Sequence, residues 1–259
     1  MVAKNTRDST VLPLKPAATR AEAKAADSIQ AAGQAAGSDK RSRLEAVRDA
    51  RRGSNRIRRL HHHAVRTDDM EATRQFYEDV VGMPMVAAFR EKRDRGNGMP
   101  FLHCFFEMAD GGSLAFFQFL PDAHGPADKL PPDAIDHHIA MSVPGSEDVA
   151  RLKAKFDGLG YSNCGINHGF CFSLYVRDPN GMLVEFVADS ANELEINEAA
   201  AASAHAELAR WLSQDYTPNP QAPAMEFPLP TSPIEDIVRV MNGHSKRWSK
   251  PAYSEPPAK

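Results

Sequence analysis

One order of elements occurs twice in this chain, and a unit that repeats can bury its open sheet face against its own copy. From Leu60, LHHHAVRT reads as a strand. DDMEATRQFYEDVVG follows as a helix with Asp69 at its N-cap, Met70, Thr73, Tyr77 and Val80 on one face, and Gly82 as its stop. MPMVAAFR is a second strand, EKRDRGNGM a polar loop, and FLHCFFEM and SLAFFQF a hairpin around ADGG. This is βαβββ. After the Pro-rich linker PDAHGPADKLPPDA the order returns. DHHIAMSV is a strand, and EDVARLKAKFDGLG is a helix capped by Ser146 with Val149, Leu152, Phe156 and Leu159 on one face. A short strand near YSNCGI and a hairpin of SLYV and MLVE around DPNG complete the copy. Superposing the two first strands pairs His62 with His138, seventy-six residues on. Each copy is too small to cover its own sheet, so the expected fold is α+β: two βαβββ modules pairing curved mixed sheets around a shared cavity that contains a metal.

The repeat sets the boundaries. Residues 60–190 form the two-module domain, with module 1 at 60–120 and module 2 at 136–190. Residues 1–59 are a basic Ala/Arg-rich arm, partly disordered or helical, and 191–259 a C-terminal helix followed by a Pro-rich tail. The arm carries fourteen Lys and Arg against six acids, the remainder seventeen against twenty-eight. Without interleaved aromatics or a nucleic-acid module, the basic run at 38–59 reads as a solvated helix or packing arm, and no nucleic acid is expected as a partner. ELEINEAAAASAHAELARWLSQDY reads as a helix whose Leu208, Trp211 and Leu212 pack on the body or on a second subunit, and IEDIVRVMNG as one short helix in the tail. Three cysteines without CxxC spacing (Cys104, Cys164, Cys171) fit free thiols in a reducing compartment, and the start lacks a hydrophobic signal core. The expected location is cytoplasmic, with no membrane association.

The chemistry gathers in HGFCFSLYVRDPNGMLVE, residues 168–185. Strand alternation puts Glu185 among apolar neighbours, where an unpaired carboxylate is costly, so it requires a cation. His62 and His138 open the two repeats and compete for the same ion. Two imidazoles and one carboxylate with open positions form the facial arrangement of non-haem Fe(II) sites, whereas a structural zinc is usually closed by four ligands. A histidine taken alone is more often hydrogen-bonded than metal-bound; histidine doublets at both repeat starts shift the balance. In the first repeat Ala115 stands where Glu185 stands in the second, so no further ligand is offered there. Phe101, Phe105, Phe106, Phe117 and Phe119 supply an apolar stock from which one face could line an aromatic pocket, while the other half must face away.

With these residues in place, the chain resembles the vicinal oxygen chelate superfamily, which includes glyoxalase I, bleomycin-resistance proteins and type I extradiol ring-cleavage dioxygenases. The resemblance rests on the βαβββ repeat, HHHAVRTDDMEATRQFYEDVVGM and HHIAMSV, and covers about half the chain. Ile166, His168, Leu174, Tyr175, Asp178, Pro179, Gly181 and Glu185 fall at the spacing of the extradiol signature. The resemblance implies an Fe(II)-dependent dioxygenase, with Mn(II) compatible with the same ligands, that cleaves a catechol-like aromatic with O2, as in aromatic hydrocarbon catabolism. It implies His62, His138 and Glu185 as metal ligands, and His168 and Tyr175 as hydrogen-bonding and acid–base groups. The family's further histidine before SLAF is replaced here by ADGG. His103 in FLHC is the nearest candidate, as a catalytic substitute or a plain strand residue. The alternatives are a glyoxalase-like isomerase or lyase, against which Ala115 weighs, and a non-catalytic small-molecule binder, against which the complete ligand set weighs. By analogy of fold, a homo-oligomer is expected.

Overall fold

A computed structural model describes residues 38–53, 55–92, 100–120, 137–219 and 226–242. The chain divides into two compact units, Met1–Ser54 and Asn55–Lys259. In the first unit, residues 38–53 form helix α1, whose exposed face carries i,i+4 pairs such as Arg41–Glu45 and Arg43–Asp39. The readings of residues 1–37, of the loop at 93–99 and of the linker at 121–136 lie outside the described residues.

The second unit holds both modules. Module 1 runs β1 (His62–Arg66), α2 (Met70–Arg74) continuing directly as a π-helical segment Gln75–Val81, β2 (Met85–Lys92), β3 (Pro100–Glu107) and β4 (Ser113–Phe119). Module 2 runs β5 (His138–Ser142), α3 (Ser146–Gly158), β6 (Asn163–Asn167), β7 (Cys171–Arg177) and β8 (Leu183–Asp189). Helices α4 (Glu193–Leu212) and α5 (Ile234–Met241) follow. The sheets have matching orders, β1-β4-β3-β2 and β5-β8-β7-β6. In each, the first strand lies parallel to the last and the remaining pairs are antiparallel. Registers match as well: Ala64 lies opposite Ala115, and Ala140 opposite Glu185. The repeat therefore sets His62 on His138, Ala115 on Glu185 and Phe105 on Tyr175.

Alternation sorts the side chains. Cys104, Phe106, Leu114 and Phe116 of module 1, and Phe172, Leu174, Val184 and Phe186 of module 2, turn toward the helices and share one buried cluster with Phe76, Tyr77, Val149, Leu152 and Phe156. Each fully buried Phe or Leu contributes roughly 1.5–3 kcal/mol. Phe76 stacks on Phe156 at 6.1 Å between ring centroids, and the Tyr77 hydroxyl donates to Asp178 Oδ2 at 3.0 Å. The helix-covered faces thus meet in one core, and the opposite sheet faces are left for chemistry.

The helix over 69–82 has its expected ends. The Asp69 side chain accepts from Ala72 N, and Gly82 adopts φ 95°. The widened turn, in which Gly82 N and Met83 N both donate to Tyr77 O, was not legible from spacing. Two expectations need correction. Ser146 is the first residue of α3 and makes no capping bond; extended Gly145 is the N-cap, and its carbonyl receives Asp148 N and Val149 N. Leu159 lies past the last turn of α3 and is exposed, because the apolar face ends with Phe156. In α4 Leu194 and Glu198 are buried, and Trp211 and Leu212 are 63% and 73% exposed; of the two packings expected for its far end, the one on the body is not seen among the described residues.

Candidate functional site

On the open face of the second sheet, Tyr175 and Glu185 are directly opposed on β7 and β8, and Glu185 lies beside Ala140 of β5. The Glu185 carboxylate is only 6% exposed. One of its oxygens, Oε2, lies 2.9 Å from His138 Nε2, and the other accepts from the Tyr175 hydroxyl at 3.0 Å. His168, on the loop leading into β7, brings Nε2 to 3.1 Å from that hydroxyl. Because the tyrosine hydrogen is committed to Glu185, His168 Nε2 is the donor, and the order is imidazole N–H to phenol O–H to carboxylate. Burial, and after it the Glu185 charge, holds the Tyr175 phenol well above its ordinary value, so it acts as a donor. The loop holds His168 through a backbone bond from its N–H to Cys171 O at 2.9 Å, and Gly169, with φ 86°, turns the chain.

The open face of the first sheet is aromatic. Phe89, Glu91, Phe101, His103, Phe105, Phe117 and Phe119 line a cavity of about 560 Å³, whereas Phe106 and Phe116 belong to the core. The expectation that half of the five phenylalanines face away is corrected: Phe101, Phe105, Phe117 and Phe119 all line the pocket and Phe106 alone turns to the core, because paired β3 and β4 put the odd-numbered positions on one face. His103 belongs to this cup: its ring stacks on Phe117 at 3.7 Å and lies 6.5 Å from the His62 ring. Burial lowers its pKa, which keeps it neutral, and its Nε2 is buried with no hydrogen-bond partner among the described residues. A buried ring nitrogen without a partner at the wall of an apolar cup is an unmet hydrogen-bonding group of the kind that calls for an explanation. His62 Nδ1 meets His61 Nδ1 at 2.8 Å.

Of the six residues singled out from sequence, His138, Glu185, Tyr175 and His168 come together on the second sheet, and His62 and His103 on the first. Among the described residues no three His, Cys, Asp or Glu side chains stand close enough to hold a metal, so His62 does not join His138 and Glu185 in this structure. The donors fit a divalent cation in kind. A buried carboxylate and an imidazole nitrogen already converge on one point, and proximity is met for two of the three ligands.

Sequence reasoning missed a further participant. Helix α5 lies over β6 and β7, and its Val240 and Met241 form a buried cluster with Cys164, Tyr175 and Leu183. The available signal was the stripe Ile237, Val240, Met241 in IEDIVRVM, which has the spacing of one buried helix face.

A family model described as Glyoxalase/Bleomycin resistance protein/Dioxygenase superfamily matches residues 59–186. No curated protein matches the chain. Among solved structures, a glyoxylase/bleomycin resistance protein/dioxygenase domain from Frankia sp. EAN1pec is 15% identical, with a TM-score of 0.43, covering 52% of this chain and 99% of its own. The fosfomycin resistance protein FosX from Listeria monocytogenes, complexed with Mn(II) and sulfate, is 20% identical, with a TM-score of 0.40, covering 53% and 97%. Lactoylglutathione lyase from Agrobacterium tumefaciens is 23% identical, with a TM-score of 0.37, covering 51% and 94%.

Proposed function

We propose that this chain, which over residues 59–186 belongs to the Glyoxalase/Bleomycin resistance protein/Dioxygenase superfamily, is a non-haem Fe(II)-dependent extradiol dioxygenase that opens a catechol-like ring with O2. The observation that carries the reading is the relay from His168 through Tyr175 to Glu185, with His138 on the other carboxylate oxygen. His62, His138 and Glu185 are the proposed metal ligands; a bound Fe(II) supplies the redox coupling between catechol and dioxygen, and Mn(II) satisfies the same donors.

The side chains supply the rest. Once Glu185 serves a cation, the Tyr175 hydroxyl is free to turn its hydrogen toward an oxygen of the substrate, and His168 behind it holds a proton in reserve. The cup of Phe101, Phe105, Phe117 and Phe119 receives the ring and excludes water, with neutral His103 offering Nε2 to a ring hydroxyl. A glyoxalase-like isomerase is disfavoured because Ala115 stands at the register position of Glu185. A second reading, a non-catalytic binder of aromatic molecules, draws on the same cup. The proposal further includes a homo-oligomer joined through the exposed end of α4, and a reducing, cytoplasmic compartment in which the three free, buried thiols persist. No helix among the described residues is long and apolar enough to cross a membrane.

The test is anaerobic reconstitution with Fe(II), followed by admission of O2 with a panel of catechols while oxygen uptake and the yellow ring-opened product are recorded. Wild type should bind one iron and consume oxygen. Glu185→Ala and His62→Ala should each lose iron, and Tyr175→Phe should keep iron and turn over slowly. Stoichiometric iron without oxygen uptake across the panel would overturn the dioxygenase reading, and catechol binding retained by Glu185→Ala without turnover in wild type would favour the binder.

A further inference from the structure

The tail does more than trail from the domain. Phe227 stacks on Phe172 at 3.9 Å and 2° on the helix-covered side of the second sheet. The chain then rounds the edge strand β6: Ser232 N donates to Gly165 O at 2.8 Å, Gly165 N to Ser232 Oγ at 2.9 Å, and Asn167 N to Thr231 Oγ1 at 3.1 Å. These bonds cover a sheet edge that would otherwise be open. Beyond them α5 lies on the opposite face, the face of Glu185.

A side chain on that face reaches the end of α5 through hydrogen bonds. Arg177, two residues after Tyr175 on β7, donates from Nε to Val240 O at 3.0 Å and from Nη2 to Met241 O at 2.6 Å. Its Nη1 donates to Gly181 O at 2.8 Å, in the turn between β7 and β8. A cation on the last carbonyls of a helix satisfies acceptors that have no partner within the helix and opposes the negative end of its dipole. One guanidinium therefore ties the turn that sets the Tyr175–Glu185 pairing to the helix whose Val240 and Met241 share a buried cluster with Tyr175, Cys164 and Leu183.

We propose that Arg177 is a positioning residue of the candidate site: by holding the last turn of α5 against β6 and β7 it sets the ring of Tyr175, and through the ring the hydroxyl that bridges Glu185 and His168. The proposal rests on the reading of Tyr175 as part of the acid–base machinery. The tyrosine has two rotatable side-chain bonds, so a ring confined in the cluster that Val240 and Met241 close carries its hydroxyl at a defined place.

Cys164 gives a readout that needs no turnover. It is fully buried in the cluster under α5, whereas Cys104 is buried in the core beneath the helices of the modules. The full-length chain and its Arg177→Ala, Arg177→Lys and Met241→Ala variants would be treated with a maleimide at pH 8, and labelling at each cysteine followed by peptide mass. The ¹⁹F resonance of 3-fluorotyrosine at position 175, assigned by its loss in Tyr175→Phe, would be recorded on the same proteins. Arg177→Ala should label Cys164 at least tenfold faster than wild type while Cys104 stays unlabelled, and should move the Tyr175 resonance. Arg177→Lys, which keeps one donor, should restore part of both. Met241→Ala keeps the main-chain acceptor but loses the side chain, and should move the resonance with a smaller rise in labelling. In iron-loaded protein that turns over, Arg177→Ala should lower kcat about tenfold and leave KM within twofold. Unchanged Cys164 labelling, a stationary Tyr175 resonance, joint exposure of Cys104 or a change confined to KM would each overturn the proposal. A wild type that cleaves no catechol would remove the dioxygenase reading, leaving the thiol and ¹⁹F results to decide the role of Arg177.

Discussion

Replacing Tyr77 by Phe removes one hydroxyl from the contact that joins the modules, and its cost follows from the surroundings of Asp178. Asp178 is 4% exposed and Tyr77 fully buried. The carboxylate accepts from the Tyr77 hydroxyl at 3.0 Å, Asn180 N at 2.9 Å, Asn180 Nδ2 at 3.0 Å and Met182 N at 2.8 Å. Burial raises the pKa of both acids, so the bond between them lies between an ordinary and a charge-assisted one. Its loss from this buried site should cost about 1.5–2 kcal/mol. Asp178→Ala strands the phenol and two backbone N–H groups and should cost about 3–5 kcal/mol. The double variant should be less destabilised than the sum, with a coupling of about 1.5 kcal/mol. Urea unfolding read by circular dichroism measures each value: at a slope of roughly 2 kcal/mol per M, Tyr77→Phe should move the midpoint down by about 1 M. The sign with pH is also set. A carboxyl whose folded pKa is raised contributes stability that is full below its unfolded value, near 4, and is lost as pH rises through the folded value. Asp178→Asn should flatten that fall. A Tyr77→Phe midpoint within 0.2 M of wild type, or additive losses in the double variant, would refute the account of this contact, in which a signature position serves to join the modules.

Other positions make further tests. Gly165→Ala puts a Cβ 2.6 Å from the Phe172 ring, which is itself stacked on Phe227; a loss of about 1–3 kcal/mol is expected in thermal unfolding, and an unchanged midpoint would contradict the packing. At Gly82, φ of 95° closes the π-helical segment, so alanine there should cost about 1–2 kcal/mol, measured in the same way. Burial pushes the Cys164 thiol up to about 12, so the native wild-type chain should show almost no Cys164 labelling by iodoacetamide at pH 8–9 and full labelling in denaturant.

Much of this molecule was readable from one dimension. Strand alternation and the repeated order of elements yielded both modules, because side-chain period and turn chemistry are local: ADGG and DPNG stop their strands wherever the chain lies. Which phenylalanines share a face was left to the pairing of β3 with β4, whereas the matching offsets of His62 and His138 reappear as matching sheet registers. Capping was less legible. Ser146 and Gly145 are both acceptable before a helix, and the choice fell to the backbone path out of β5.

What depended on tertiary structure concerns pairs distant in sequence. That Tyr77 would meet Asp178, or Arg177 the carbonyls of Val240 and Met241, follows from how helices and sheets pack, and no period in the chain encodes it. His103 could be named but not aimed until the pairing of β3 with β4 set it over Phe117. Sequence by itself determined the two modules, the kinds of donor and the relay residues near Glu185, because these arise within a few residues or from a fixed repeat. The cup, the wall made by α5 and the separation of His62 from His138 and Glu185 were decided by packing, since they depend on the summed positions of whole elements rather than on local conformational preference.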